Sequence, residues 1–86
     1  MPEISRFYGI VIRMYFDEHN PPHFHAEYGE HEALVDINSM SIIAGRLPSR
    51  VLGMVIEWAS IHQDELKQEW GKARNMESLG KISPLK

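Results

Sequence analysis

The chain reads as an α+β domain: an antiparallel sheet of three or four strands with one long helix packed across its apolar face. Three observations predict this. A β-branched and aromatic run extends from Ile4 to Phe16. Two strand-like segments, "HFHAEY" and "HEALVDIN", flank Gly29. The stretch "LPSRVLGMVIEWASIHQDELKQEWGKARN" repeats apolar residues at helical spacing. At 86 residues the chain has room for a single domain, residues 1–86, and such a domain buries only about 60% of the surface its unfolded chain exposes. There are no cysteines, so disulfides, thiolate zinc sites and a cysteine nucleophile are all excluded.

The first run is read as one strand. Ile10, Ile12, Met14 and Phe16 share one face, and Val11, Arg13 and Tyr15 the other. Asp17 to Pro22 then forms a loop, because a residue before proline is biased away from the α region and Pro21 and Pro22 hold the exit extended.

The central hairpin can be derived residue by residue. A two-residue turn at Gly29 and Glu30 pairs Tyr28 with His31, Ala26 with Ala33, Phe24 with Val35 and His23 with Asp36. Alternation then puts Phe24, Ala26, Tyr28, His31, Ala33, Val35 and Ile37 on a core face. His23, His25, Glu27, Glu32, Leu34 and Asp36 fall on a polar face. A slip of one residue would mix the two sets, so this segregation selects the register. "SIIAG" is expected to add a short fourth strand.

In the helix, Leu52, Val55, Ile56, Ala59, Gln63, Leu66, Trp70 and Ala73 form the stripe expected to face the sheet. A second arc, Val51, Met54, Trp58 and Ile61, extends past what one sheet face covers. Two covers are open to it. One is a protein surface, from a partner or a second copy of the chain, since methionine and tryptophan are enriched at interface cores. The other is the chain's own amino-terminal segment and tail, with Ile82 and Leu85 as anchors.

Net charge is −3, with four Lys/Arg against seven Asp/Glu in residues 1–50 and five against five in residues 51–86. That balance does not favour nucleic acid, whose binding draws on a basic surface; Lys67, Lys72, Arg74 and Lys81 are the only local cluster. Arg6 and Arg13 interrupt the amino-terminal apolar run, and no segment approaches the roughly 20 apolar residues of a membrane span, so a cytoplasmic protein with no membrane contact is expected.

Four of the five histidines lie within "HNPPHFHAEYGEHE". His23 and His25, two apart on one strand face, can share one metal ion, with Asp36 opposite His23 as third ligand or orienting group. Nitrogen and oxygen donors with an open position suit a divalent metal such as zinc, manganese or nickel. The competing reading is a cross-strand His23–Asp36 pair beside an exposed His25. His19, in the proline loop, could swing to the same face, and Phe24 and Glu27 are further candidate site residues. His62, one turn after Trp58, is expected to be a half-buried hydrogen-bonding residue. No G-x-S-x-G elbow, phosphate-binding glycine loop or H-E-x-x-H helix is present.

The segments "ISRFYGIVIRMYF" and "HNPPHFHAEYGE", the "LP" before the helix, and the spacing of Trp58, His62, Glu65, Leu66 and Trp70 resemble the small bacterial family catalogued as domain of unknown function 4160. The resemblance covers nearly the whole chain. It implies a stand-alone prokaryotic domain, encoded in operons resembling toxin–antitoxin or regulatory modules, with no established reaction. The function expected is therefore a non-catalytic interaction module that binds the product of a neighbouring gene or a second copy of itself. The alternative is a metal-dependent or histidine-based hydrolase or nuclease at the His-x-His face.

Overall fold

A computed structural model describes residues 2–86. It is an α+β fold with strands β1 (Glu3–Phe7), β2 (Ile10–Arg13), β3 (His23–Tyr28), β4 (His31–Asp36) and β5 (Ile42–Gly45), followed by helices α1 (Ser49–Ile61) and α2 (Gln63–Arg74). The strands form one antiparallel sheet in chain order, β1-β2-β3-β4-β5. No helix among the described residues is long and apolar enough to cross a membrane.

The sheet has five strands rather than three or four because the first run is itself a hairpin. Phe7 pairs with Ile10 across Tyr8 and Gly9, which lie at φ +50° and +79°. Two consecutive positive φ values define the type I′ turn whose twist matches the flanking strands. Tyrosine is an unusual occupant of its first position. "SIIAG" supplies β5, as expected.

The β3–β4 register matches the derived one at every pair: His23↔Asp36, Phe24↔Val35, Ala26↔Ala33 and Tyr28↔His31. The core face follows from it, with Phe24, Ala26, Ala33, Val35 and Ile37 fully buried beside Ile10, Ile12 and Met14. Tyr28 and His31, at the turn, run past the core into solvent.

The single long helix is two helices, broken at His62 (φ −108°, ψ 24°). Gln63, the one polar member of the expected stripe, donates from Nε2 to the Ile37 carbonyl at 2.8 Å, tying the start of α2 to the end of β4. The core-facing arc is also rotated from the expected one. Val51, Val55, Trp58 and Ala59 are buried in α1, while Leu52 and Ile56 are half-buried.

Of the two covers open to the second arc, the chain itself supplies most. Trp58 packs against Phe7 and Phe24 at ring distances of 5.4 and 5.8 Å, and its Nε1 donates to the Ser83 carbonyl at 2.8 Å. Val51 is buried, Met54 is half-buried, and only Ile61, at the end of α1, stands in water. The tail does the covering. Ile82 is buried and its amide donates to the Ile4 carbonyl at 2.8 Å, Leu85 packs against the core, and the buried Glu69 carboxylate accepts from the Gly80 amide at 2.7 Å.

Candidate functional site

The loop from Asp17 to Pro22, which contains a cis Asn20–Pro21 peptide, returns the chain to the start of β3. Its Asp17 amide donates to the Ala73 carbonyl at the end of α2. Strand alternation sends His23 and His25 to the face opposite Phe24. That face is not open there: His23 is 6% exposed and His25 9%. The Trp70 ring lies 5.2 Å from His23 and the Tyr15 ring meets His25 edge-on at 4.4 Å. The loop and α2 cover what the strands alone would leave polar and wet.

Each imidazole is fixed through its outer nitrogen. His23 Nδ1 lies 2.8 Å from the Pro21 carbonyl. A carbonyl only accepts, so that bond puts the proton on Nδ1 and leaves Nε2 bare in the neutral ring. His25 Nδ1 lies 3.1 Å from Glu32 Oε2, and the same reasoning applies. Both Nε2 atoms then turn toward Glu18 Oε1, His25 at 2.8 Å and His23 at 3.2 Å. Only the His25 contact has hydrogen-bond alignment; His23 Nε2 is buried with no hydrogen-bond partner despite its proximity to the carboxylate. The three ligand-type atoms lie within 4.8 Å of one another. The arrangement can hold a cation or share a proton.

Of the three residues expected to bind a metal, His23 and His25 are brought together and Asp36 is not used. Asp36 sits opposite His23 as derived, but its Oδ1 accepts the amides of Asn38 and Ser39 at 2.7 and 2.9 Å. It closes the β4–β5 turn as an Asx cap. Glu18 takes the place that Asp36 was expected to fill. The available signal was an acid just ahead of His19 in a loop that must fold back to the β3 entrance.

The other candidates disperse. His19 is in the loop outside the cluster, Phe24 is in the core, and Glu27 pairs with Arg13 at 3.2 Å. His62 is a hydrogen-bonding residue on the helix flank, as expected, with Nδ1 2.6 Å from Glu65. A hollow of about 440 Å³ lies elsewhere, lined by Glu57, Ile61, His62 and residues 83–86.

Burial pushes the Tyr15 phenol above its ordinary value, the carboxylates of Glu27, Glu32 and Glu18 push the same way, and Arg13 opposes them. Folding therefore favours the neutral phenol. Its contribution is fully present below the unfolded value of about 10 and is lost as pH rises through the higher folded value. Stability measured by urea titration should fall more steeply above pH 10 in the native chain than in Tyr15→Phe. Parallel curves would contradict this.

The model of the family described as domain of unknown function DUF4160 matches residues 9–71. The chain belongs to that family. No curated protein and no solved structure matches it.

Proposed function

We propose that this DUF4160 member is a cytoplasmic, non-catalytic interaction module of a prokaryotic regulatory or toxin–antitoxin-like pair. It grips a protein partner through the sheet end that carries Tyr8 and Tyr28. The observation that supports this reading is Tyr8 itself, 61% exposed while held at φ +50°. A tyrosine in the left-handed region costs roughly 1–2 kcal/mol. Asparagine before Gly9 would make the same turn without that strain. A strained aromatic that stays mostly exposed in its own chain is explained if its ring is needed outside it.

Tyr28 extends the patch. Its ring lies where a Cβ on Gly9 would touch it at 3.5 Å, and it is 36% exposed. Tyrosine is among the residues that carry most binding energy at protein interfaces. Exposed Glu30 lies in the turn that follows Tyr28, so the partner surface is apolar with a basic group at its rim. A second copy fits less well, because a two-fold contact through this end would set Glu30 against its own copy. The hydrolase alternative needs substrate at the His-x-His face, where both imidazoles are walled in by Tyr15, Trp70 and Glu18.

The test uses the purified chain and the product of the adjacent gene, with affinity read by calorimetry. Tyr8→Asn should raise stability by about 1–2 kcal/mol through relief of the turn. The same change should weaken the complex by about 10- to 100-fold through loss of the ring. Absence of a complex, or one indifferent to Tyr8→Asn, would refute the reading. A homodimer dissolved by Tyr8→Asn would assign the surface to self-association instead.

A further inference from the structure

We infer that Glu18, His23 and His25 bind one divalent transition-metal ion, through Nε2 of both imidazoles and a carboxylate oxygen of Glu18, with Glu32 and the Pro21 carbonyl as the groups that orient the rings. The inference is independent of the docking surface at Tyr8.

The argument begins with protons. The Nδ1 atoms of His23 and His25 face acceptors only, the Pro21 carbonyl and the Glu32 carboxylate. With both rings neutral, their Nε2 lone pairs point at Glu18 Oε1, itself an acceptor, from 3.2 and 2.8 Å. Three electron-rich atoms facing one another away from bulk water repel unless something positive lies between them. A proton on His25 Nε2 relieves one contact, yet it leaves His23 Nε2 as it stands, buried without a hydrogen-bond partner. A metal ion satisfies all three at once.

The two histidine–carboxylate spacings suit an ion of zinc's size, and the two Nε2 atoms lie within 4.8 Å of each other. Tetrahedral ligands at about 2.0–2.1 Å from the metal lie about 3.3 Å from one another. The His23–Glu18 contact, at 3.2 Å, is already there, and the His25–Glu18 contact, at 2.8 Å, must open by a few tenths of an ångström. Glu18 is on a loop and its side chain is 27% exposed, so it is the ligand free to make that adjustment. Imidazole donors select zinc, cobalt, nickel, copper or iron over calcium and magnesium. Ligand histidines that give their second nitrogen to a carboxylate or a backbone carbonyl are a recurrent feature of metal centres.

The buried setting makes the ion a fastener rather than a reagent. It would join Glu18, on the loop whose Asp17 amide bonds the end of α2, to the start of strand β3, beside Trp70.

The test is titration of untagged, chelator-treated protein with Zn²⁺ and Co²⁺, by calorimetry and by visible absorption of the cobalt form. One ion per chain is expected. In long-range ¹H–¹⁵N NMR, Nε2 of His23 and His25 should shift on zinc binding while both Nδ1 atoms stay protonated. His23→Ala and His25→Ala should each weaken binding by 100-fold or more. Glu18→Gln is nearly isosteric and is expected to stay folded, so it tests the carboxylate even if a histidine variant does not fold. Glu32→Gln should weaken binding by about 10- to 100-fold, and Asp36→Ala should leave it unchanged. Absence of stoichiometric binding would overturn the site and assign the cluster to a shared proton. Binding lost in Asp36→Ala or His19→Ala but retained in Glu18→Gln would overturn this ligand set.

Discussion

Trp58→Ala should destabilise the chain by roughly 3–5 kcal/mol, the range for removing a buried aromatic side chain. Trp58 is fully buried, touches Phe7 of β1 and Phe24 of β3, and holds the tail through the Ser83 carbonyl. One side chain therefore joins the helix, two strands and the carboxyl-terminal segment. Domains of this size are stable by about 5–15 kcal/mol in total, so the variant is expected to be marginal, with Tm lowered by at least about 12 °C. Trp58→Phe separates the contributions, since it keeps an aromatic ring against Phe7 and Phe24 and deletes only the indole donor and some volume. It should cost about 1–2 kcal/mol, with faster hydrogen exchange at the Ile82 amide and little change at β3. Urea unfolding followed by circular dichroism reads both variants. A loss below about 1.5 kcal/mol for Trp58→Ala would mean that the core is not organised around this ring.

That the cover over Trp58 stays open, in the sequence, between a partner and the chain's own tail shows where the sequence stops being informative. The helical period is unambiguous from Val51 to Ala73, yet two adjacent arcs of that helix are both apolar, and period alone does not choose between them. What chooses is the tail, through contacts some 25 residues downstream that leave no periodic trace. The β3–β4 register was legible for the opposite reason: apolar and charged residues alternate on both strands, so only one pairing sorts them. The β1–β2 hairpin was hidden by Tyr8, a side chain that the turn does not favour.

The site divides in the same way. His23 and His25 were legible as a pair because they share one face of one strand. Glu18 was not, since its position depends on the path of a proline loop. Asp36 lay opposite His23 as derived, but it is followed by Asn38 and Ser39, whose amides claim its carboxylate. Register fixes which residues are neighbours; competition for their polar atoms fixes which of them remain available.

Gly45→Ala should be as damaging as a core truncation although it adds a single methyl group. Gly45 pairs with Ala33 at the edge of the sheet and sits at φ +77°. A Cβ there would lie 2.1 Å from the Glu32 carbonyl oxygen and 3.1 Å from Ala33 Cα. These are backbone atoms, and the same Glu32 carbonyl accepts the Arg46 amide at 3.1 Å, so relief requires β5 to separate from β4. The expected cost is about 3 kcal/mol or more, combining left-handed strain with the lost pairing. Gly53→Ala is the matched control. Gly53 is inside α1 and a Cβ there meets nothing within 4 Å, so the same chemical change should stabilise by about 0.5–1 kcal/mol. The damage at Gly45 should also reach the histidine centre, because displacing the Glu32 backbone withdraws the carboxylate that orients His25. Gly45→Ala is thus expected to weaken zinc binding under conditions where it remains folded, and Gly53→Ala to leave it intact. Equal stability of the two variants would show that β5 can accommodate the added methyl by a shift too small to break its pairing.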